Sequence, residues 1–309
     1  MFSVPKSDRW LTMSSTFFHS ILYTFISVLW FTKGQQYGDG EFGRRVSLYQ
    51  YTYAAGIVYH VRNKPPQLMC GAAIIHPLWV LTAARCFPQD ARIEDYEVFA
   101  GDVEYFSKSS SEQHRRIWNI VFHSNYTTFP AEFNIALVEL IQPFDITNSV
   151  RSGFLPQGPL REYMNCKTLG LKNEWWIPTP VLVDVDTIAR RREECLHLIQ
   201  SPQWLLAAPV FDYCLISSSI SSRALRDPFH GNIGAPSVCN NTIQAITSDL
   251  PFLDLSGPII VTDVGKHLAW IRSNIIKREP AQQYSYNAQI MRSPLGVIVL
   301  VLQMLLLAT

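Results

Sequence analysis

The sequence lacks a surplus of charge of either sign. Its 309 residues include 26 lysines and arginines against 25 aspartates and glutamates, which gives a formal net charge of +1. Nucleic-acid binding needs an excess of basic residues on one face, so no nucleic-acid partner is expected. Charged residues make up 17% of the chain and hydrophobic residues 48%, and this composition can bury a substantial core.

Signatures of cofactor and metal binding are also missing from the sequence. It contains no phosphate-binding loop or dinucleotide fingerprint, and His60, His76, His114 and His123 do not have the spacing of metal ligands. We therefore expect no cofactor and no metal ion. The six cysteines are too few for a small disulfide scaffold, but they suit three bridges in a larger fold if the compartment is oxidising.

The first 34 residues have the composition of a targeting segment. A weakly basic start precedes an apolar run over residues 17–31, and small residues after it favour cleavage before Gln35. The run is shorter than the roughly 20 residues that span a membrane comfortably. We therefore expect residues 1–34 to be a signal peptide, with an uncleaved signal anchor as the alternative.

Residues 295–309 form an uncharged apolar tail, which follows a polar spacer over residues 278–294. As a helix, residues 295–308 would reach about 21 Å, which is short against a hydrocarbon thickness of about 30 Å. The pattern predicts a lipid-anchor signal that is cut off, with Ser285 or Asn287 as the attachment residue. A short membrane anchor helix is the second interpretation, and a buried strand is the third.

Both favoured interpretations place the body of the chain outside the cell. Two N-glycosylation sequons agree with this location, one at Asn125 (N-Y-T) and one at Asn240 (N-N-T). We therefore expect a glycoprotein of the secretory pathway, which is extracellular or held at the cell surface through its C-terminal tail.

Short runs of β-branched and aromatic residues recur between the two ends, and Gly, Pro, Asn and Asp separate them. The clearest runs are Ala54–Val61, Trp79–Thr82, Tyr96–Ala100, Ile117–Phe122, Ile135–Leu140, Val181–Val185, Ile243–Thr247 and Ile259–Val264. Many short strands favour an all-β barrel or sandwich. One helix closes this region, because Val264, Leu268, Ile271 and Ile275 fall on one apolar stripe.

Several segments resemble the motifs of one protein family. Residues 70–75 read C-G-A-A-I-I, and residues 79–86 read W-V-L-T-A-A-R-C. This resembles the histidine motif of the trypsin-like serine proteases, which is C-G-G-S-L-I, three variable residues, and W-V-L-T-A-A-H-C. Further segments are similar to the family's H-P-x-Y, D-I-A-L, G-D-S-G-G-P and Y-T-R-V…W-I motifs, in family order: residues 123–126, 134–137, 231–236 and 262–271.

The resemblance covers roughly residues 46–277 and implies an all-β fold. In this family the fold consists of two perpendicular six-stranded β-barrels with a cleft between them. We expect a homology domain over residues 35–277, with the barrels at about 46–150 and 160–263 and a C-terminal helix at 264–277. The resemblance also implies three disulfides, which are Cys70–Cys86, Cys166–Cys239 and Cys195–Cys214.

All three catalytic positions of the family are substituted in this chain. Arg85 takes the place of the histidine, and a guanidinium stays protonated and cannot act as a general base. Asn134 takes the place of the aspartate, and an amide cannot stabilise an imidazolium by charge. Ile233 takes the place of the serine, and a hydrocarbon side chain has no nucleophilic atom.

The supporting positions of the family differ as well. Asn232 replaces the aspartate that pairs with the new amino terminus on activation, and no I-V-G-G-like start stands at a suitable distance. Asp227 stands where trypsins bind a basic substrate side chain, although it also fits a solvated loop charge. Ser248, at the wall strand, and Ile259, in place of a wall glycine, are the other pocket positions, and the resemblance implies a filled pocket.

The sequence therefore predicts a non-catalytic serine protease homologue, secreted or at the cell surface. It would act by binding proteins, as a scaffold, decoy or regulator of proteolysis, with an active protease or its inhibitor as a partner. The alternative is an active serine endopeptidase with relocated catalytic residues, for example Ser237 or Ser248. A moved nucleophile would need a new base and a new oxyanion geometry together. A secreted carrier without an anchor is a third hypothesis.

Overall fold

Strands dominate the part of the chain that the computed structural model describes, namely residues 44–61, 64–105, 107, 109–172, 180–199, 210–217, 232–249 and 258–275. The strands there are β1 (Arg44–Arg45), β2 (Ala54–Tyr59), β3 (Gln67–His76), β4 (Trp79–Thr82), β5 (Tyr96–Ala100), β6 (Gln113–Phe122), β7 (Thr127–Thr128), β8 (Ala131–Glu132), β9 (Ala136–Leu140), β10 (Asn165–Lys172), β11 (Val181–Arg191), β12 (Tyr213–Ser217), β13 (Pro236–Cys239), β14 (Thr242–Asp249) and β15 (Ile259–Asp263).

Helical segments are short. They are the 3-10 turns Ala84–Cys86, Ile93–Asp95 and Val264–His267, the helix α1 (Arg192–Leu198) and the C-terminal helix α2 over residues 268–275. Among the described residues, no helix has both the length and the apolar character that crossing a membrane requires. The expected signal peptide and the apolar tail lie outside the described residues.

The N-terminal barrel closes through the antiparallel order β2-β3-β4-β9-β6-β5. Its interior is filled by branched and aliphatic side chains, among them Ile57, Ile74, Leu81, Val98 and Leu137, all fully buried. These side chains suit a pleated, tightly packed surface.

The C-terminal barrel closes because β12 pairs with both β15 and β11. The remaining order is β11-β10-β13-β14-β15, and the short strand β1 adds to the outer edge of β11. Val185, Leu215, Ala245 and Val261 pack in its core. The described chain thus forms two closed six-stranded barrels, which confirms the expected fold class.

The start of the described chain is fastened to the C-terminal barrel. Asp184, on β11, is almost fully buried and faces three side chains from this segment. Its carboxylate accepts hydrogen bonds from Arg44 Nε at 3.1 Å and from the Tyr51 hydroxyl at 2.7 Å, and a weaker one from Gln50 at 3.3 Å. The Asp184 carboxylate raises the pKa of the Arg44 guanidinium. These hydrogen bonds to Asp184 therefore hold the N-terminal segment against β11.

Three disulfides join these elements, and all three expected pairings are confirmed. Their S–S distances are 2.06 Å for Cys70–Cys86, 2.00 Å for Cys166–Cys239 and 2.09 Å for Cys195–Cys214. These bridges account for all six cysteines of the chain. Disulfides of this kind persist in oxidising compartments, which is consistent with an extracellular location.

The C-terminal helix packs across to the other barrel. Asp263 begins it, because its carboxylate accepts the Gly265 N–H at 2.9 Å. Val264, Leu268 and Ile271 are buried as the apolar stripe predicts, and Val264 and Ile271 belong to the core cluster of the N-terminal barrel. This segment therefore holds the two barrels together. The last two residues of the expected helix, 276 and 277, lie outside the described residues.

Two histidines lie where this helical segment meets the N-terminal barrel. The ring of His123, just after β6, lies 5.0 Å from that of His267 and 5.1 Å from that of Trp270 between centroids, and it stacks on Phe133 at 4.8 Å. Burial lowers the pKa of His267 to about 4, and the charges of His123 and Lys266 act in the same direction while Asp212 opposes them. Burial also lowers the pKa of His123. The packed arrangement therefore favours neutral imidazoles.

The free energy of unfolding is expected to decrease as the pH falls from about 6.5 towards 4. In that window the unfolded chain, with a histidine pKa of about 6.5, binds a proton that the folded His267, with its pKa of about 4, does not. After allowance for solvent screening, the contribution is about 1–2 kcal/mol. Urea unfolding at a series of pH values measures it. The His267→Gln variant should lose less stability on acidification than the wild type, and an unchanged slope would contradict the assignment. His197→Gln, on the exposed surface of α1, is the matched control.

Candidate functional site

Arg85 lies in the 3-10 turn Ala84–Cys86, at the end of the buried strand β4. Ala83 and Ala84 are fully buried, which lets the turn pack closely against the barrel. The Cys70–Cys86 disulfide fixes its far side to β3. Packing and a disulfide therefore hold the position that carries the catalytic base in the family that this sequence resembles. Here that position carries a guanidinium.

Asn134 lies beside this turn, immediately before Ile135 and β9, and is almost fully buried. Its side-chain oxygen accepts the backbone N–H of Arg85 at 2.9 Å. Its amide nitrogen donates to the hydroxyl of Ser248 at 2.9 Å and to the carbonyl oxygen of Ser248 at 3.2 Å. Because both ends of the amide are used, Asn134 links the turn of Arg85 to β14 in the other barrel.

The guanidinium of Arg85 forms an ion pair with Asp249 at the end of β14. Arg85 Nη1 lies 2.7 Å from Asp249 Oδ2 and 3.4 Å from the carbonyl oxygen of Ser248. The side chain of Arg85 is 33% exposed and that of Asp249 is 11% exposed. This partly buried pair joins the two barrels. A guanidinium has donors but no acceptor, so this side chain offers no site that could take a proton.

Ile233 occupies a turn that is shaped by its glycine neighbours. The carbonyl of Ile233 accepts the Gly71 N–H at 2.8 Å, and its side chain packs against the core of the N-terminal barrel. Gly234 has a φ of +80°, and a Cβ at this position would overlap the Thr82 hydroxyl and the Gly71 carbonyl. The backbone at this turn therefore requires glycine, while the side chain at its apex is hydrocarbon.

Asn232 and Ser237, on either side of this turn, are both buried. The Asn232 side-chain oxygen accepts the Leu171 N–H at 2.6 Å, so it anchors the turn to β10. The Ser237 hydroxyl lies 3.0 Å from that of Thr168 inside the C-terminal barrel. Ser237 is therefore a packed interior residue and does not reach the cleft.

The three pocket positions have different outcomes. Ser248 is buried and hydrogen-bonded to Asn134, as described above. Ile259 is 2% exposed and packs in the core cluster of the C-terminal barrel. Asp227 lies outside the described residues, so the filled pocket stays a prediction. Within the described ranges, no group of three or more His, Cys, Asp or Glu side chains is placed to hold a metal ion.

Asp249 is the site residue that the sequence did not identify as functional. It directly follows the pocket position Ser248, and no motif marks it. The available signal was the joint appearance of a cation at the base position and an acid at the wall strand, 164 residues further on (249 − 85). The two charges neutralise each other only if the fold brings the residues together. Here Arg85 follows β4 and Asp249 ends β14, and the two side chains meet.

Removal of the Asp249 carboxylate is expected to destabilise the fold, because it leaves a partly buried guanidinium without its counterion. Asp249→Ala should lower the free energy of unfolding by about 1–3 kcal/mol, less than for a fully buried pair because Arg85 is one-third exposed. Urea unfolding measures the loss. The matched control is Asp212→Ala, which removes an exposed partner of Lys266 and should cost under about 0.5 kcal/mol. Equal losses in the two variants would contradict a structural role for the Arg85–Asp249 pair.

Comparison with known proteins agrees with this architecture. The chain is 26% identical over 230 residues to kallikrein 1-related peptidase b21 of Mus musculus, a match that covers 68% of this chain and 81% of that protein. It is 27% identical over 240 residues to prostatic glandular kallikrein-6 of Rattus norvegicus, with 72% and 84% covered. It is 26% identical over 262 residues to serine protease 28 of Mus musculus, with 78% and 88% covered.

The fold and the family profile lead to the same assignment. A solved structure described as the structure of GrC matches with a TM-score of 0.61 and 21% sequence identity, over 75% of this chain and 98% of that one. This likeness shows the fold. The profile of the family described as Trypsin matches residues 42–271, which is most of the sequence. The chain therefore belongs to the trypsin-like serine protease family.

Proposed function

We propose that this protein is a non-catalytic member of its family and acts by binding other proteins. The observation that carries the proposal is the Arg85–Asp249 ion pair, because it puts a neutralised cation in the position of the catalytic base. Hydrolysis by the family mechanism needs a base that takes the proton of the nucleophile. Here the position of the nucleophile holds Ile233.

The substituted residues bind one another and their neighbours. Such mutually compatible contacts favour a stable, well-packed site over one disrupted by unrelated mutations. Arg85 is offset by Asp249, and Asn134 satisfies polar groups on both barrels. With all triad members lost, an oxyanion hole and binding alone leave only about 10³–10⁴-fold acceleration over water. A hydrolytic role would therefore have little chemical basis at these positions.

The alternative with a relocated serine has weaker support. Ser237 is fully buried in its barrel, and its hydroxyl contacts Thr168. Ser248 contacts the amide of Asn134, which cannot remove a proton. Neither of these contacts supplies the base that a new nucleophile would require.

A binding role is supported by what the chain retains. The two barrels, the three disulfides and the glycine turn around Ile233 preserve a rigid framework, although the chemistry of the cleft has been replaced. A rigid framework lowers the entropic cost of presenting a fixed surface to a partner. We propose an extracellular or cell-surface location, an active protease or its inhibitor as a partner, and attachment to the membrane through the C-terminal tail.

Covalent labelling with a fluorophosphonate probe tests the proposal. The secreted protein, purified from a eukaryotic host, should remain unlabelled under conditions that label trypsin completely. Ser237→Ala and Ser248→Ala variants should behave like the wild type. Labelling that disappears in one of these variants would establish the relocated serine enzyme and reject the proposal. Cross-linking at the surface of the native cell then identifies the bound partner.

A further inference from the structure

The sequon at Asn125 lies on an exposed turn directly after β6. The backbone N–H of Tyr126 donates to the carbonyl of His123 at 2.9 Å, which closes a β-turn with Asn125 at its third position. The side chain of Asn125 is exposed, and Thr127, the third residue of the sequon, is exposed as well. The acceptor amide is therefore accessible from solvent.

Aromatic side chains lie on both sides of this sequon in the chain. The rings of Phe122 and Tyr126 lie 6.2 Å apart between centroids and are nearly parallel, with an interplanar angle of 12°. Phe122 is 38% exposed and Phe129, in the following hairpin turn, is 73% exposed. Tyr126 is half-buried, so the stacked pair leaves part of its apolar surface open to solvent beside the sequon.

The geometry of the turn brings the acceptor close to these rings. Tyr126 follows Asn125 directly and closes the turn with His123, and its ring stacks on that of Phe122, the last residue of β6. A pyranose ring presents a face of C–H groups with partial positive charge, and an aromatic ring presents a face with partial negative charge. A sugar attached to Asn125 can therefore lie against the Phe122 and Tyr126 rings.

We propose that Asn125 carries an N-linked glycan whose first sugars pack on Phe122 and Tyr126. The glycan comes from a lipid-linked oligosaccharide diphosphate. The Asn125 amide nitrogen forms a bond to the anomeric carbon, the bond from that carbon to the diphosphate oxygen breaks, and the amide loses one proton as the lipid diphosphate leaves. This modification covers the exposed rings with the chain's own carbohydrate.

Site occupancy is tested with the full chain, secreted from a eukaryotic host. Peptide mass spectrometry after enzymatic deglycosylation should show Asn125 converted to aspartate. Asn125→Gln and Thr127→Ala should each lose one glycan, whereas Thr128→Ala, a neighbouring threonine outside the sequon, should keep it. Asn240→Gln removes the other sequon and allows the two sites to be counted separately. An unmodified Asn125 overturns the proposal and leaves the aromatic surface to a protein partner.

Packing of the sugars on the rings is tested by the thermal effect of deglycosylation. Removal of the Asn125 glycan should lower the Tm of the Asn240→Gln protein by about 2–4 °C. In the same background, Phe122→Ala should abolish most of this shift, because the sugar then lacks its stacking surface. Phe122→Leu gives a second variant with a smaller change in volume. An equal shift with and without the phenylalanine overturns the packing on Phe122.

Discussion

Replacement of Ile233 by serine alone is expected to leave the protein without measurable peptide hydrolysis. The new hydroxyl would have no base, because a guanidinium has no acceptor for a proton and that of Arg85 is held by Asp249. In this enzyme class, loss of triad residues costs about 10⁴–10⁶ in rate. The restored serine alone should therefore react with a fluorophosphonate probe no faster than an ordinary surface serine.

Restoration of the base should change this result. A variant with Arg85→His, Asn134→Asp and Ile233→Ser, combined with Asp249→Asn so that no carboxylate loses its arginine, supplies the nucleophile, imidazole and orienting carboxylate together. Its labelling rate should exceed that of Ile233→Ser by about 10²-fold or more, since positioned acid–base catalysis contributes about 10²–10⁴. Equal rates in the two variants would contradict the proposal that the site lacks a catalytic base. Circular dichroism controls for folding.

Loss of the Cys166–Cys239 disulfide is expected to be the largest single stability effect. The bridge spans 73 residues, and the chain-entropy model assigns such a loop about 4 kcal/mol. It also ties β10 to β13, the strand that follows the turn of Ile233. The Cys166→Ala/Cys239→Ala variant should therefore lose about 4 kcal/mol, a substantial share of the roughly 5–15 kcal/mol that stabilises a typical domain.

The second disulfide of the same barrel provides the matched comparison. Cys195–Cys214 spans only 19 residues, for which the same model gives about 3 kcal/mol. Urea unfolding of both double-alanine variants should therefore give the greater loss for the Cys166–Cys239 pair. The reverse order would show that local packing outweighs chain entropy in this barrel.

The sequence predicted most of the frame for identifiable reasons. Trp79–Thr82 and Tyr96–Ala100 were predicted as strands with the observed bounds, because short β-branched and aromatic runs were bounded by turn residues. The stripe of Val264, Leu268 and Ile271 predicted the buried face of the C-terminal helical segment. The disulfide pairings came from the resemblance, since sequence alone does not determine connectivity.

The features that the sequence did not predict all depend on long-range contacts. Arg44 and Arg45 are neither β-branched nor aromatic, and β1 forms because they pair with β11 and Arg44 binds Asp184. The His123–His267 contact joins residues that are far apart in the chain. The Arg85–Asp249 pair likewise arises only where the two barrels meet. Tertiary packing, rather than local pattern, determines these contacts.

Counting product molecules per protein molecule tests the central claim most directly. The wild-type protein, secreted, glycosylated and free of contaminating protease, would be incubated with a diverse peptide mixture and an activated ester. The absence of a base and of a nucleophile at the three substituted positions predicts fewer than one turnover per molecule, with no difference between wild type and Arg85→Ala. Sustained, repeated turnover that copurifies with the folded chain and is lost on mutation of one of its own residues would contradict the proposed non-catalytic function.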